Sequence, residues 1–418
     1  MEVIQQANAT DPTTYKFRLR DLPLGAQMLF VAFGALVLVP VLAGLDPNVA
    51  LFTAGLGTLA FQLVTGGKVP VFLASSFAFI APIQLGVAEY GVAETLSGLA
   101  AAGVFYLVLS LLIFWRGPQL IARLLPSVVT GPVIMVIGLS LASVAVGMVS
   151  EAGDNYSREA ALAVGAVSLL GTILASLLGR GWLRLVPIFA GIIVGYGLAL
   201  PLGMVDFSPV ASAPWLALPP FVAPQFHLPA ILFILPVAIA PAIEHIGDVL
   251  AIGSVTGKEF IREPGVHRTL LGDGLATTLA AFLGGPPNTT YSEVTGAVAF
   301  TKVFNPGIMT WAAIVAILLS FVGKLGALVR TIPPPVMGGI LVILFGTIVI
   351  VGMNSLMQAG VALLKSRNLI IVSVILVLGV GGLSLETGAF ALEGIGLSSI
   401  FGVLLNLLLP HSAVEATE

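Results

Sequence analysis

An all-α membrane protein is the architecture that this sequence predicts, and three observations carry that reading. Hydrophobic residues make up 58% of the 418 positions and charged residues only 9%, whereas a soluble domain carries about 25% charge. Mean hydropathy is +1.09, so lipid rather than water has to solvate most of the side chains. Apolar runs of spanning length recur along the whole chain between Pro, Gly and polar breaks. A net charge of −3 with no basic run argues against a nucleic-acid partner. The chain has no cysteine, which excludes disulfides, thiolate metal sites and cysteine nucleophiles.

A bilayer core takes about 20 apolar residues per helix. Reading runs between breaks gives fourteen segments: 24–44, 49–66, 70–86, 95–115, 125–148, 159–179, 183–203, 229–254, 268–284, 287–303, 306–323, 334–352, 369–385 and 391–409. The third and tenth are short and carry prolines and polar residues. The start of the chain, Met1 to Leu22, is polar and holds Lys16, Arg18 and Arg20, unlike a secretory signal. No lipidation motif is present, and the last residues form a short acidic tail.

Basic residues orient these segments. With the N-terminus in the cytoplasm, Lys16, Arg18, Arg20, Lys68, Arg116, Arg123, Arg180, Arg184, Lys258, Arg262, Arg268, Lys302, Lys365 and Arg367 fall inside. Only Arg158, Lys324 and Arg330 fall outside, which is the positive-inside bias. An even number of segments then returns the C-terminus to the cytoplasm.

Two pairs of segments suggest an internal duplication. Arg123-Leu-Leu-Pro126 leads to Gly131 and a Val/Ile run, and Arg330-Thr-Ile-Pro333 leads to Gly338 and a similar run, 207 residues later. Ser75-Ser76-Phe77 in the third segment pairs with Thr289-Thr290-Tyr291 in the tenth. Chance likeness between low-complexity apolar stretches is the alternative. Two halves of seven spans must be inverted, because seven is odd. Inverted repeats with paired broken segments point to a secondary-transporter site. A broken helix frees backbone N–H and C=O groups that membrane tolerates only beside a cavity or ligand.

Three acids lie where lipid should be: Glu244, Asp248 and Glu293. A charge at that depth costs at least about 2.5 kcal/mol, so such residues are functional candidates. Glu244 and Asp248 are spaced i, i+4 and share a helix face. Glu293 follows the break at Pro286-Pro287, and Asp273 is a fourth acid near a helix end. For each acid the plainer alternative is a buried polar residue satisfied by a neighbour. Pro236, Pro241 and Gly247 suggest a kink in the helix that carries Glu244. His245 points about 100° away from Glu244. It lacks the His-Glu-x-x-His pattern of zinc proteases, so an interhelix contact is the better reading than a metal ligand.

Ser75-Ser76-Phe77-Ala78-Phe79-Ile80-Ala81-Pro82, Glu244-His245-Ile246-Gly247-Asp248 and Pro287-Asn288-Thr289-Thr290-Tyr291-Ser292-Glu293 resemble the nucleobase–ascorbate transporter family. The nearest likeness is to its bacterial uracil permeases. It extends from Phe33-Gly34-Ala35 and Val39-Pro40-Val41 to Pro335-Val336-Met337-Gly338-Gly339. The resemblance implies fourteen transmembrane segments in two inverted seven-span repeats, with short antiparallel strands in broken spans 3 and 10. It implies a core domain from residues 24–115 and 211–325, and a gate domain from 116–210 and 326–410. Residues 1–23 would be a cytoplasmic N-terminus and 411–418 a C-terminal tail. It further implies a homodimer in the bacterial inner membrane and an elevator-like shift of the core.

By the same resemblance Glu244 and Glu293 match the acids that bind the base. Phe77 and Ser292 match positions whose backbone faces it, and Asp248 matches the residue linked to proton coupling, with Glu244 as a second candidate to carry the proton. Some similar uracil permeases have His at the Asp248 position, which leaves the coupling chemistry more open than the binding chemistry. The family pattern Glu-Asn-x-Gly, followed by four residues and Thr-Arg or Thr-Lys, is kept at Glu293, Gly296, Thr301 and Lys302, but Val294 replaces Asn. Phe345 stands where similar permeases have Tyr. An acid at the Glu293 position favours uracil, whereas many purine and xanthine members have Gln.

The implied activity is proton-coupled uracil import with no cofactor beyond the proton as coupling ion. Carboxylates accept the base's two N–H hydrogens, backbone N–H groups at Phe77 and Ser292 donate to its carbonyls, and Phe77 or Tyr291 could stack on it or simply pack. A purine or xanthine permease is the alternative. An anion transporter or channel of the same architecture fits less well, because the site candidates are acidic. An enzyme is disfavoured, because no nucleophile or metal set accompanies the acids.

Overall fold

The computed structural model describes residues 11–117, 119–387 and 390–410. The tail at 411–418 and the first ten residues lie outside that description. Helices dominate. In chain order they are α1 (Leu22–Val31), α2 (Phe33–Leu42), α3 (Pro47–Thr65), α4 (Ile80–Tyr90), α5 (Val92–Arg116), α6 (Gln119–Leu124), α7 (Ser127–Ser140), α8 (Ala142–Ser150), α9 (Arg158–Leu178), α10 (Pro187–Ala199), α11 (Ser208–Ser212), α12 (Leu228–Ile234), α13 (Ile239–Thr256), α14 (Val266–Phe282), α15 (Ser292–Thr301), α16 (Gly307–Ser320), α17 (Gly323–Arg330), α18 (Pro334–Gln358), α19 (Ser366–Gly381) and α20 (Gly394–Leu408). Seven helical stretches among the described residues are long and apolar enough to cross a membrane. The others are shorter or more polar, and a helix overlaps each of the fourteen apolar segments of the sequence.

Local chemistry sets several boundaries. Asp46 caps α3, its carboxylate accepting from Asn48 N–H and Val49 N–H, and Pro47 occupies the first turn, where no N–H is needed. Gly66 and Gly257 end α3 and α13 in the left-handed conformation. Pro236 forces a 3₁₀ turn at Leu235–Ala238 between α12 and α13. The break suggested for the Glu244 helix falls there, and α13 runs unbroken through Gly247.

One feature is absent from the sequence reading. The strands β1 (Ser384–Thr387) and β2 (Phe390–Glu393) pair antiparallel and set Ser384 opposite Glu393. Hydropathy alone ends one span at 385 and starts the next at 391. An apolar run read by hydropathy alone does not show a short period-two alternation at its edge.

The 207-residue offset reappears in the packing. α18 packs on α7 and α8 in antiparallel fashion. A Cβ on Gly131 would stand 2.8 Å from Gly352 O, one on Gly138 2.5 Å from Phe345 O, and one on Gly338 2.9 Å from Ala145 O. The 207-residue offset carries Gly131 to Gly338, Gly138 to Phe345 and Ala145 to Gly352, so it exchanges these contacts with one another. Small residues allow this approach, and in lipid such close packing substitutes for hydrophobic drive. Likewise α3 packs between α14 and α16, while α14 packs between α3 and α5.

An N-terminal strap binds one face. Asp11 pairs with Lys258, Lys16 exchanges two backbone bonds with the Asn305 amide, and Phe17 stacks on Trp311 at 4.6 Å. The Lys258 ammonium, with Thr13 assisting, holds the Asp11 carboxyl below the usual carboxylate range.

Candidate functional site

Two interruptions of the chain meet between the helices. The two-residue strands Ala74–Ser75 and Asn288–Thr289 pair antiparallel, with Ala74 opposite Thr289 and Ser75 opposite Asn288. Ser76 N–H adds a bond to Pro287 O at 2.9 Å. Each strand runs at once into a helix: a 3₁₀ turn at Phe77–Phe79 and α4 on one side, α15 from Ser292 on the other. The first turns of these helices present N–H groups with no intrahelical acceptor and the positive ends of their dipoles. Tyr291 Oη donates to Ser75 O at 3.0 Å and ties the two breaks together.

α13 supplies two of the acids, Glu244 and Asp248. Asp248 is 4% exposed. Its Oδ2 accepts from Thr290 Oγ1 at 3.0 Å and its Oδ1 from Ser292 Oγ at 2.5 Å. Glu244 lies one turn earlier on the same face and is half-buried. Glu293 opens α15 and is also half-buried. Asp248, Glu293 and Asp273 are all within electrostatic range of Glu244. Among the described residues no other side chain donates to the Glu244 or Glu293 carboxylate, so both keep acceptor capacity for a ligand.

His245 is fully buried and bridges α13 to α14. Its Nε2 lies 3.0 Å from Thr269 Oγ1, and its Nδ1 lies 3.4 Å from Thr290 Oγ1 and 3.5 Å from Asp273 Oδ2. An interhelix contact was the sequence reading, and these bonds are one. Through Thr290 the ring joins Asp273 to Asp248. Asp273 is fully buried rather than peripheral.

Phe77 and Tyr291 are each 6% exposed, with ring centroids 6.0 Å apart. Phe345 meets Phe77 edge-on at 5.9 Å. Most of these aromatic surfaces are therefore spent on packing. Val294 is fully buried in the apolar core, so the missing Asn there leaves a core position rather than a cavity wall.

Glu293 also lines a cavity of about 330 Å³ together with Phe30, Arg184, Ile188, Gly296 and Phe300, a size in the small-molecule range. The Arg184 guanidinium carbon lies 5.4 Å from the Phe300 ring centroid. Arg184, in the turn before α10, and Phe300, near the end of α15, border this cavity.

The structure thus brings Phe77, Glu244, Asp248, Tyr291, Ser292 and Glu293 into one neighbourhood. Sequence reasoning gave no role to Thr290 or Arg184. Thr290 sits inside a quoted motif, and its place between two interruptions was the available signal.

A family model named for xanthine and uracil permeases, the Permease family, matches residues 20–387. This chain belongs to the Permease family. The permease is 52% identical over 398 residues to a "probable uracil permease" of Haemophilus influenzae, covering 95% of this chain and 96% of that one. It is 46% identical over 396 residues to a "uracil permease" of Bacillus caldolyticus, covering 93% and 92%. Among solved structures, the permease superposes on SLC26A9 with a TM-score of 0.69 at 13% identity, covering 93% of this chain and 64% of that one. It superposes on the transmembrane domain of the cyanobacterial bicarbonate transporter BicA with a TM-score of 0.61 at 16% identity, covering 94% and 99%. At these identities the two structures share the permease's fold and say nothing of its substrate.

Proposed function

We propose that this permease is a proton-coupled symporter that imports uracil across the bacterial inner membrane. One observation carries the reading most directly: Glu293 stands at the start of a half-helix, lines the cavity, and neighbours a serine bonded to Asp248. A ligand at Glu293 and a proton at Asp248 would act on the same first turn. The relatives named as uracil permeases support uracil as the base.

In this reading Glu244 and Glu293 accept the N–H hydrogens of the base, and first-turn N–H groups near Phe77 and Ser292 donate to its carbonyls. Protonation of Asp248 removes charge from the moving part and organises Ser292. One charge moving through 100 mV supplies about 2.3 kcal/mol, or about fortyfold accumulation. The fourteen apolar segments are fourteen crossings in two inverted seven-span repeats, with both termini in the cytoplasm. Core (24–115, 211–325) and gate (116–210, 326–410) shift against each other in an elevator-type alternating access, and the gate forms a homodimer.

Purified protein in liposomes tests this. Concentrative uracil uptake that collapses with a proton ionophore is expected, and uptake untouched by the ionophore overturns proton symport. Competition by xanthine as strong as by unlabelled uracil would replace uracil with the purine reading.

A further inference from the structure

Arg330 and Asp46 form an ion pair at 2.5 Å at the N-terminal end of α3, and Lys68 and Glu263 pair just past its other end. Asp46 caps α3, and Arg330 ends α17, just before the chain enters α18. The pair therefore fastens a helix start to the joint between α17 and α18.

The duplication supplies an inverted counterpart for both partners. An offset of 207 residues carries Arg123 to Arg330 and Pro126 to Pro333. An offset of 217 carries Asp46-Pro47 to Glu263-Pro264, Gly55 to Gly272 and Gly57 to Gly274. Between them, 214 carries Ser75 to Thr289. The offset falls steadily along the chain, as it does when the loops of the second half are shorter. Glu263 precedes α14 as Asp46 precedes α3, and Arg123 sits on α6, before α7, as Arg330 sits on α17, before α18.

Glu263, paired with Lys68, lies at the opposite end of α3 from Asp46. Ser110 Oγ donates to His267 O at 2.5 Å, which sets the end of α5 against the start of α14, beside Glu263. Its counterpart at the other end of α3 is Asn48 Nδ2 bonding Val322 O at 3.4 Å, beside Asp46. Yet the second ion pair is not made. Glu263 is paired instead with Lys68 at 2.7 Å, and Arg123 is exposed with no ion pair among the described residues. So the Arg330–Asp46 pair is closed and its counterpart is open.

We propose that Arg123 and Glu263 are positioning residues of the transport cycle. They pair only when access switches to the other face, and the Arg330–Asp46 pair then parts. The inference rests on the alternating-access reading above. Two inverted repeats that exchange conformations must exchange such contacts with them, and Lys68 holds Glu263 in the meantime.

The natural chain has no cysteine, so paired cysteines report without background. Two variants are made, Asp46→Cys with Arg330→Cys and Arg123→Cys with Glu263→Cys, together with the fourfold combination. Each is treated in liposomes with a short bifunctional thiol reagent, and linked peptides are read by mass spectrometry. Links are expected at 46–330 and at 123–263, each stopping uracil uptake until the linker is reduced. In the fourfold variant, forming the first link is expected to suppress the second. A 123–263 link that never forms, while 46–330 links readily and the unsubstituted protein takes up uracil, overturns the proposal. So do both links in one molecule. Failure of the unsubstituted protein to take up uracil strikes the functional reading instead, and the link pattern still decides the exchange. As a check on folding, the charge swap Arg123→Glu with Glu263→Arg is expected to recover uptake that either single reversal loses.

Discussion

Ser292 donates its hydroxyl hydrogen to Asp248 Oδ1 at 2.5 Å, which fastens the first turn of α15 to the middle of α13. Thr290, two residues earlier, occupies the other oxygen at 3.0 Å. A carboxylate accepts both hydroxyls. A protonated carboxyl or an amide presents a donor at one of the two positions, so the hydroxyl facing it must reverse and accept. On the proposed coupling, protonation of Asp248 would change these two bonds, and they hold the segment that carries Glu293.

Asp248→Asn should separate binding from coupling. The amide holds one arrangement regardless of pH. Uracil binding should survive, as should exchange of labelled against unlabelled uracil. Accumulation driven by a pH gradient should be lost. Counterflow and gradient-driven uptake in the same liposomes give the comparison. Equal losses in both would show that Asp248 serves the fold or the binding step.

Glu244→Gln and Glu293→Gln should each weaken uracil binding by about ten- to a hundredfold, because a hydrogen bond to a charged group is worth about 1.5–3 kcal/mol. An amide can still accept through one oxygen, so the protein should fold. Ligand-induced thermal stabilisation reads the loss, with unliganded melting as the control. Stabilisation by uracil that matches the unsubstituted protein in either variant would remove that glutamate from the site.

These acids were legible in the sequence because charge in lipid is rare enough to notice, and the helical runs were legible because hydropathy is a sum over many residues. What lay between them was not. Thr290 and Asp273 are ordinary until Asp273 is seen 3.5 Å from His245 and Thr290 within bonding distance of Asp248. The exposure of Phe77 depends on Phe345, 268 positions away, and no local pattern encodes that contact. The duplication showed in two short motifs only, because most apolar residues in a bilayer are interchangeable. Its clearer trace is the set of small residues at α7 and α18, where backbones must touch.

That crossing gives a stability prediction. Gly138→Leu places a branched side chain where even a Cβ would be 2.5 Å from Phe345 O. The helices must separate, at a cost of about 1–3 kcal/mol or more. Thermal unfolding in detergent should fall clearly, while Gly346→Leu, where a Cβ meets nothing within 4 Å, should leave it near its starting value. Equal effects would mean that the approach of α7 and α18 does not limit stability.

The strap should be acid-labile. The Lys258 ammonium, with Thr13 assisting, holds the Asp11 carboxyl below its ordinary range, and Lys68 does the same to Glu263. A carboxyl depressed in the folded state stabilises that state above its unfolded value, about 4 for such groups, and the contribution fades as pH falls through the folded value. Both pairs are exposed, so salt should weaken them too. Backbone hydrogen exchange of residues 11–18, corrected for its intrinsic pH dependence, should therefore show protection at pH 7 that declines below about pH 4. Lys258→Met should lower the protection at pH 7 and flatten its dependence on pH. The Phe17–Trp311 stack carries no charge and should hold part of the strap throughout. Protection that stays constant from pH 7 to pH 3 would assign the clamp to that stack and to the Asn305 bonds alone.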